Sequence, residues 1–353
     1  MIKMDSNVKC SLIDINDQWD VVIKKFAFDI YHLSGWLKSS ALIDGGQAKG
    51  LIIQSESSKL IFPLIIRKID DVFWDATSPY GYSGPLGDSV LTHQEIDLLL
   101  EYAIRFLKEQ NCVSWFIRLH PILNIGWKSV FGIIVEHGPT LSSDLSKTEE
   151  EHWSETQNRH QRGIKKALKY SIYTKIEELN ENNALIFSKI YTETMKYLNA
   201  SDFYFFDDLY FMQLAKNLKG RILLITAYHM ENPIAASIYT YCKESGIIQY
   251  YLGGTLDAYR NLQPAKLITH IARAWGRENK YSILHLGGGL GACLDSLYEY
   301  KKGFSSNEHL FKTHRIVVNS DIYIKLSNKN GRVGQLTEYF PLYREPNGKS
   351  SHD

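Results

Sequence analysis

Apolar and polar positions alternate in short runs over two separate stretches of the chain, and each stretch closes on a longer segment of helical spacing. In the first, residues 49–53 and 59–68 read as strands around the polar turn 54–58, and residues 72–77 as a third strand. A glycine-containing loop, 78–88, leads to a helix predicted over 92–110, where Ile96, Leu99, Leu100, Ala103, Ile104 and Leu107 share one face. Thr92 and Glu95 have the form of a capping box, each side chain satisfying an amide that the first helical turn leaves over. Asn111 then turns the chain into a strand over 113–119.

The second stretch repeats that order. Strands are predicted over 221–229, 234–242 and 247–253, then a loop over 254–263. A helix follows over 264–278, with Leu267, Ile268, Ile271, Ala272 and Trp275 on one face and Pro264 in the first turn, where its missing N–H does no harm. The unit closes on a strand over 281–286. Pro63 to Asn111 is 48 residues and Pro233 to Asn279 is 46, so the chain reads as two copies of one β-β-β-loop-α-β unit. A mostly polar, helical region over 147–219 separates them. Domains are expected over 1–146 and 147–353.

Composition narrows the class. The chain has 353 residues, enough for about two domains, and is 44% hydrophobic and 22% charged. Lys and Arg number 40 against 39 Asp and Glu, and a net charge of +1 speaks against bulk nucleic-acid binding. The longest apolar run lies near 60–66 and contains Pro63, too short to span a bilayer, and residues 1–20 hold no apolar stretch of signal-peptide length. Cys10, Cys112, Cys242 and Cys293 lie far apart with no Cys-x-x-Cys, as for free thiols in a reducing cytoplasm. No His/Cys cluster has metal-ligand spacing.

Several segments carry candidate chemistry. Ala235, Ala236 and Ser237 are small enough to pack beneath a helix or to let a thin ligand approach; a splayed strand there would offer amides to a carbonyl or an oxyanion. The loop 257–265 enters a helix N-terminus, a place for a phosphate, and Arg260 adds a full charge. The run Gly287-Gly288-Gly289-Leu290-Gly291 lacks the following Gly-Lys-Ser/Thr of a P-loop, and position 294 is Leu, so it reads as tight backbone curvature after a strand. His285 before it is the first choice for a general base, with Tyr298, Glu299 and Asp257 behind it. The loop 78–88, with Tyr80 and Tyr82, suits either a rigid turn or a ring-shaped polar ligand. Residues 158–175 contain Arg159, Arg162, Lys165, Lys166, Lys169 and Lys175 with no acid, a solvated helix face or a contact for phosphates.

Taken in order, these segments resemble the tandem-domain branch of the GNAT superfamily, which includes the Fem peptidyltransferases and related acyltransferases. Asn158-Arg159-His160-Gln161-Arg162-Gly163-Ile164-Lys165-Lys166-Ala167 is similar to that branch's arginine-containing helix, and Tyr191-Thr192-Glu193-Thr194-Met195 to its Tyr-x-x-Thr-Met segment. Residues 295–304, ending Lys301-Lys302-Gly303-Phe304, are similar to its terminal Phe-Lys-x-Gly-Phe signature. The resemblance implies an α+β fold of two tandem GNAT-like domains, each a mixed, mostly antiparallel sheet flanked by helices. It implies an acyl-CoA donor held in the second domain between splayed strands, expected at 234–242 and 247–253, through Ser237, Ile238 and Tyr239. The pyrophosphate would lie on Arg260, Asn261, Gln263, Ala265 and Lys266, Gln263 standing where the superfamily pattern has glycine. Catalytic roles fall on His285, Tyr298 and Glu299, and acceptor contacts on Tyr80, Tyr82, Arg159, Tyr204, Tyr251 and Lys301. The implied reaction is N-acylation of an amino sugar linked to a nucleotide, probed first with dTDP sugars, without a metal. A Fem-type ligase using aminoacyl-tRNA for peptidoglycan cross-bridges, or a binding protein with an inactive site, are the alternatives.

Overall fold

The computed structural model describes residues 8–88, 91–329 and 339–345; residues 1–7, at the head of the segment read for a signal peptide, lie outside them. Along the chain the elements are β1 (Lys9–Asp14), α1 (Asp17–Ile23), α2 (Ser34–Asp44), β2 (Gln47–Gln54), β3 (Lys59–Lys68), β4 (Trp74–Thr77), β5 (Leu86–Gly87), α3 (His93–Glu109), β6 (Cys112–Arg118) and β7 (Ile133–Asp144). Then follow α4 (Glu149–Glu155), α5 (Asn158–Lys169), β8 (Tyr173–Glu178), α6 (Glu181–Tyr197), α7 (Asp208–Asn217), β9 (Ile222–His229), β10 (Asn232–Cys242), β11 (Ile247–Thr255), α8 (Pro264–Glu278), β12 (Ile283–Gly287), α9 (Ser296–Lys302), β13 (Asn307–Val317) and α10 (Ser320–Lys329).

The described chain forms two compact units. One holds the residues up to His137 and those from Leu310 onward; the other is 138–309. The sequence places a single boundary after residue 146. The units instead divide inside β7 and again inside β13, because Thr313–Val317 of β13 pair with Ser114–Arg118 of β6 in the first unit.

The fold class is the expected one. In the first unit the strand order is β1-β2-β3-β4-β6-β13, antiparallel except for β4 beside β6, and β5 adds to β3. In the second the order is β7-β12-β11-β10-β9-β8, antiparallel except for β11 beside β12. Each parallel pair is bridged by one helix, α3 or α8, as parallel neighbours require. The apolar face of α3 (Ile96, Leu99, Leu100, Ala103, Leu107) is buried in one cluster with Leu51, Phe62, Trp115 and Ile117, and that of α8 (Leu267, Ile268, Ala272) with Ile225, Ala235, Tyr239 and Ile248. Ala235 is thus a helix-packing residue.

Two expectations change. The helical region over 147–219 also contains the edge strand β8. More important, the expected gap between 234–242 and 247–253 is closed: β10 and β11 pair from Ala235↔Thr255 to Cys242↔Ile247, with one bulge.

Candidate active site

The opening lies on the other side of β11. Its parallel pairing with β12 runs through Ile247↔Ile283, Ile248↔Leu284 and Gln249↔His285 and ends there, although β11 continues to Thr255 and β12 to Gly287. The glycine run explains the divergence. Gly287 has φ +73°, a left-handed backbone that L side chains avoid, and the register of β12 against β7 shifts between His285 and Gly287. On the opposite edge of β11, Tyr251 is the extra residue of a bulge, since Tyr250 faces Tyr239 while Leu252 faces Ile238. Its hydroxyl meets that of Tyr210 on α7.

Lys301 of α9 stands at the divergence. Its ammonium donates to the Gly288 carbonyl at 2.5 Å and lies 5.5 Å from the centre of the Tyr250 ring. Burial lowers its pKa from 10.5 to about 7, with only Asp295 acting weakly in the other direction. Lys301 thus changes protonation near neutrality inside a largely apolar wall. Around it Tyr239 meets Tyr250 edge-on at 5.4 Å, and the Tyr300 hydroxyl donates to the Ala265 carbonyl and meets Thr269 Oγ1, each at 2.9 Å. Burial pushes the Tyr250 phenol up to about 12 and raises those of Tyr239 and Tyr300 as well. Gly253 makes this arrangement possible, for a Cβ there would lie 2.3 Å from the Tyr250 hydroxyl and 2.7 Å from Ser237 Oγ.

The first turn of α8 has no side-chain cap, and since the Lys266 amide donates to the Gln263 carbonyl at 3.2 Å, the Ala265 amide is the one left over. Its N-cap is Gln263, held at φ +62°, ψ 37°, the left-handed conformation that a glycine would adopt freely; its side chain donates back to the Arg260 carbonyl at 3.0 Å. Pro264 supplies no amide. Arg260 lies 3.7 Å above the Tyr197 ring and 3.6 Å from Asp257, and Lys266 donates to the Arg159 carbonyl at 3.3 Å, with Gly163 of α5 leaving room for its stem. Burial and the nearby Arg159 lower the Lys266 pKa. Asn261 is exposed and Ala265 half-buried. The superfamily position that should be glycine therefore keeps the glycine backbone with a glutamine side chain.

Other expected site residues are placed differently. His285 is fully buried with Nδ1 2.6 Å from Gln249 Oε1 and Nε2 2.8 Å from Thr140 Oγ1, so both ring nitrogens are engaged whichever carries the proton. It locks the last rung of the parallel pair and has no lone pair to offer a substrate. Ser237, Ile238 and Tyr239 lie in β10 with ladder partners on both β9 and β11, so their amides are used by the sheet. The Tyr298 hydroxyl donates to Glu308 at 2.5 Å, and burial together with that carboxylate raises its pKa. Glu299 is exposed; Arg159 donates to its carbonyl at 2.6 Å and approaches its carboxylate at 3.4 Å. Tyr204 lies half-buried in the turn between α6 and α7. Tyr80 and Tyr82 belong to the first unit, where the loop is pinned: Trp36 donates to the Tyr80 carbonyl, Ser83 to the Tyr31 carbonyl, and Tyr82 packs edge-on against Tyr31 and Phe311. Tyr250 and Tyr300 were not among the expected residues; strand alternation marks Tyr250, but only the place where β11 and β12 part gives it a role.

Residues 155–302, all within the second unit, match the family described as an acetyltransferase (GNAT) domain. No curated protein sequence matches the chain. Among solved structures, FemX aligns over 89% of this chain and 99% of its own with a TM-score of 0.65 at 13% identity. L-PGS from Bacillus licheniformis aligns over 92% and 98% (TM-score 0.54, 10% identity). The C-terminal domain of a putative lysylphosphatidylglycerol synthetase from Agrobacterium fabrum aligns over 90% and 96% (TM-score 0.53, 12% identity). At such identities these likenesses concern the fold. Residues 155–302 are thus similar to a GNAT acetyltransferase domain, which supports an N-acyltransferase. Among the described residues, no group of three or more His, Cys, Asp or Glu side chains is placed to hold a metal ion, and no helix is long and apolar enough to cross a membrane.

Proposed function

We propose that the chain transfers an acyl group from acyl-CoA to the amino group of a nucleotide-linked amino-deoxy sugar, dTDP-linked in the first instance. The observation that carries the donor half is the early end of the β11–β12 pairing beside an uncapped α8 N-terminus. In this reading the pyrophosphate rests against the start of α8 at the Ala265 amide, with Arg260 and Lys266 adding charge, and the pantetheine arm runs along β11 beyond Gln249. The thioester then lies beside Tyr250 and Lys301. The amine nitrogen attacks the thioester carbonyl, the new C–N bond replaces the C–S bond, and the departing thiolate takes up a proton. Neutral Lys301, poised near pH 7, accepts the proton that the ammonium sheds before attack. Positioning of the two substrates supplies much of the remaining acceleration. The acceptor half rests on the sequence resemblance alone, with Arg159, Tyr204 and Tyr251 as the contacts to vary in the second unit. The test offers acetyl- and hydroxyacyl-CoA with a panel of dTDP- and UDP-linked amino sugars and follows free thiol. Acceptor-dependent thiol release is expected, and its absence with every pair overturns the reading.

One observation favours a second donor. Gln263 and Pro264 give the α8 start a bulkier and amide-poorer surface than a glycine pattern would. An aminoacyl-tRNA donor, as in the Fem-type reading, carries no such pyrophosphate and makes no demand on that turn. Transfer from aminoacyl-tRNA in a reaction that CoA does not inhibit would decide for it.

A further inference from the structure

Beyond Arg159, helix α5 carries an unusual surface to which the proposed transfer gives no role. Its inner face, His160, Gly163, Ile164 and Ala167, is buried, while Arg159, Arg162, Lys165, Lys166 and Lys169 are exposed on the outer side. Arg159 meets Glu299. Among the described residues, none of Arg162, Lys165, Lys166 and Lys169 has a carboxylate within ion-pair distance, and no acid occurs in 158–175. These four stand three and four positions apart, a spacing at which like charges repel and weaken the helix. Two large apolar side chains border the row in the open: Leu168 is 56% and Tyr170 48% exposed.

The geometry points to a docking face for an anionic bilayer surface. A single-stranded nucleic acid, the other polyanion of this charge, binds in a basic groove with free aromatic faces on which bases stack. Here the surface is the convex side of one helix. The nearby rings are already covered: the Lys166 ammonium lies 6.0 Å over Tyr170, and Tyr173 stacks on Tyr228 at 5.4 Å. The exposed aliphatic Leu168 has no partner in a nucleic acid, whereas beside a row of cations it enters the headgroup layer. Tyr170, amphipathic at the helix end, has the chemistry of an interfacial anchor.

The test is co-sedimentation of the full chain with vesicles of phosphatidylcholine alone and of phosphatidylcholine with one-third phosphatidylglycerol. Binding is expected only to the anionic vesicles, with loss as salt is raised. The double variant Lys165→Glu/Lys169→Glu is expected to weaken it roughly tenfold to a hundredfold, and Leu168→Ser a few-fold. Both are expected to leave transfer to a soluble acceptor unchanged. Should the double variant fail to fold, judged by circular dichroism, Arg162→Gln/Lys169→Gln takes its place. Equal binding to neutral vesicles, no binding at low salt, or binding indifferent to these variants overturns the inference. So does binding of bulk tRNA that the same variants abolish in a chain that ignores vesicles, an outcome that assigns the face to nucleic acid.

Discussion

The two units build the same β-α-β corner and finish it in opposite ways. In the first, the end of the parallel pair is stitched: the Ser78 amide donates to the Phe116 carbonyl at 2.8 Å, the Arg118 amide to Ser78 Oγ at 3.0 Å, and the Arg118 guanidinium to the Ser78 carbonyl at 2.9 Å. In the second, pairing stops at Gln249 and His285. The bridging helices differ as well. Both have their third residue at the same place relative to the N-cap, and in α3 it is Glu95, whose carboxylate accepts from the Thr92 amide at 2.9 Å. In α8 it is Lys266. One helix start is already occupied by an acid of its own; the other is uncapped and presents a cation. In the proposed reading a shared scaffold becomes an anion site only where the chain both withholds its cap and lets the strands part.

Replacing Lys301 is the hardest blow to that contrast. Lys301→Met keeps the volume and removes the ionisable group at the divergence, and a loss of about 10²–10⁴ in kcat is expected. The pH profile sharpens the assignment. Neutral Lys301 is the active form in the proposed mechanism, so kcat should rise through pH 7 and flatten above it; a fall over that range would make the ammonium, as an oxyanion partner, the active form. The same variant reports on stability. A lysine held near 7 when folded and near 10.5 when unfolded binds fewer protons in the native state between those values, so its contribution to stability rises with pH across that window. Removing the ionisable group should stabilise the chain at pH 7, by about 1–3 kcal/mol in chemical denaturation.

A smaller effect follows from making the second helix start like the first. Lys266→Glu places a carboxylate where α3 has one. Donor KM is expected to rise about tenfold with kcat nearly unchanged if, as proposed, the group binds the donor far from the reacting carbon. An unchanged KM would remove α8 from the donor site.

How far the sequence discloses this depends on the range of the interaction. The helices and most strands were legible because their signals are local: the apolar stripe of α3, its Thr92–Glu95 box, and Pro264 at the start of α8. The glycine run at 287–291 was rightly read as curvature. The small residues Ala235 and Ala236 place the opening on the other edge of β11, because they look like room for a ligand when their neighbours are unknown; in the fold the room at Ala235 is taken by α8. The setting of His285 is hidden for the same reason. Its type suits a base, and only the Gln249 and Thr140 contacts, 36 and 145 residues away, disclose a structural role. Lys301 came from motif order, while its depressed pKa comes from burial that no local pattern encodes.

The finest test separates stability from chemistry at the two helix starts. Thr92→Ala removes the side-chain cap of α3 and should cost about 1 kcal/mol in denaturation with no change in transfer. Gln263→Gly acts with the opposite sign. The left-handed conformation costs a non-glycine residue about 1–2 kcal/mol, and the added freedom of glycine in the unfolded chain takes back roughly 0.5–1. A net gain of about 0.5 kcal/mol is expected, measured as a shift of the denaturation midpoint at constant slope. If the left-handed turn is also the donor's seat, the variant restores the superfamily's glycine and clears a side chain from the start of α8, so donor KM should fall a few-fold as the chain becomes more stable. Stabilisation without that fall would leave Gln263 a backbone substitute for glycine and move the pyrophosphate elsewhere.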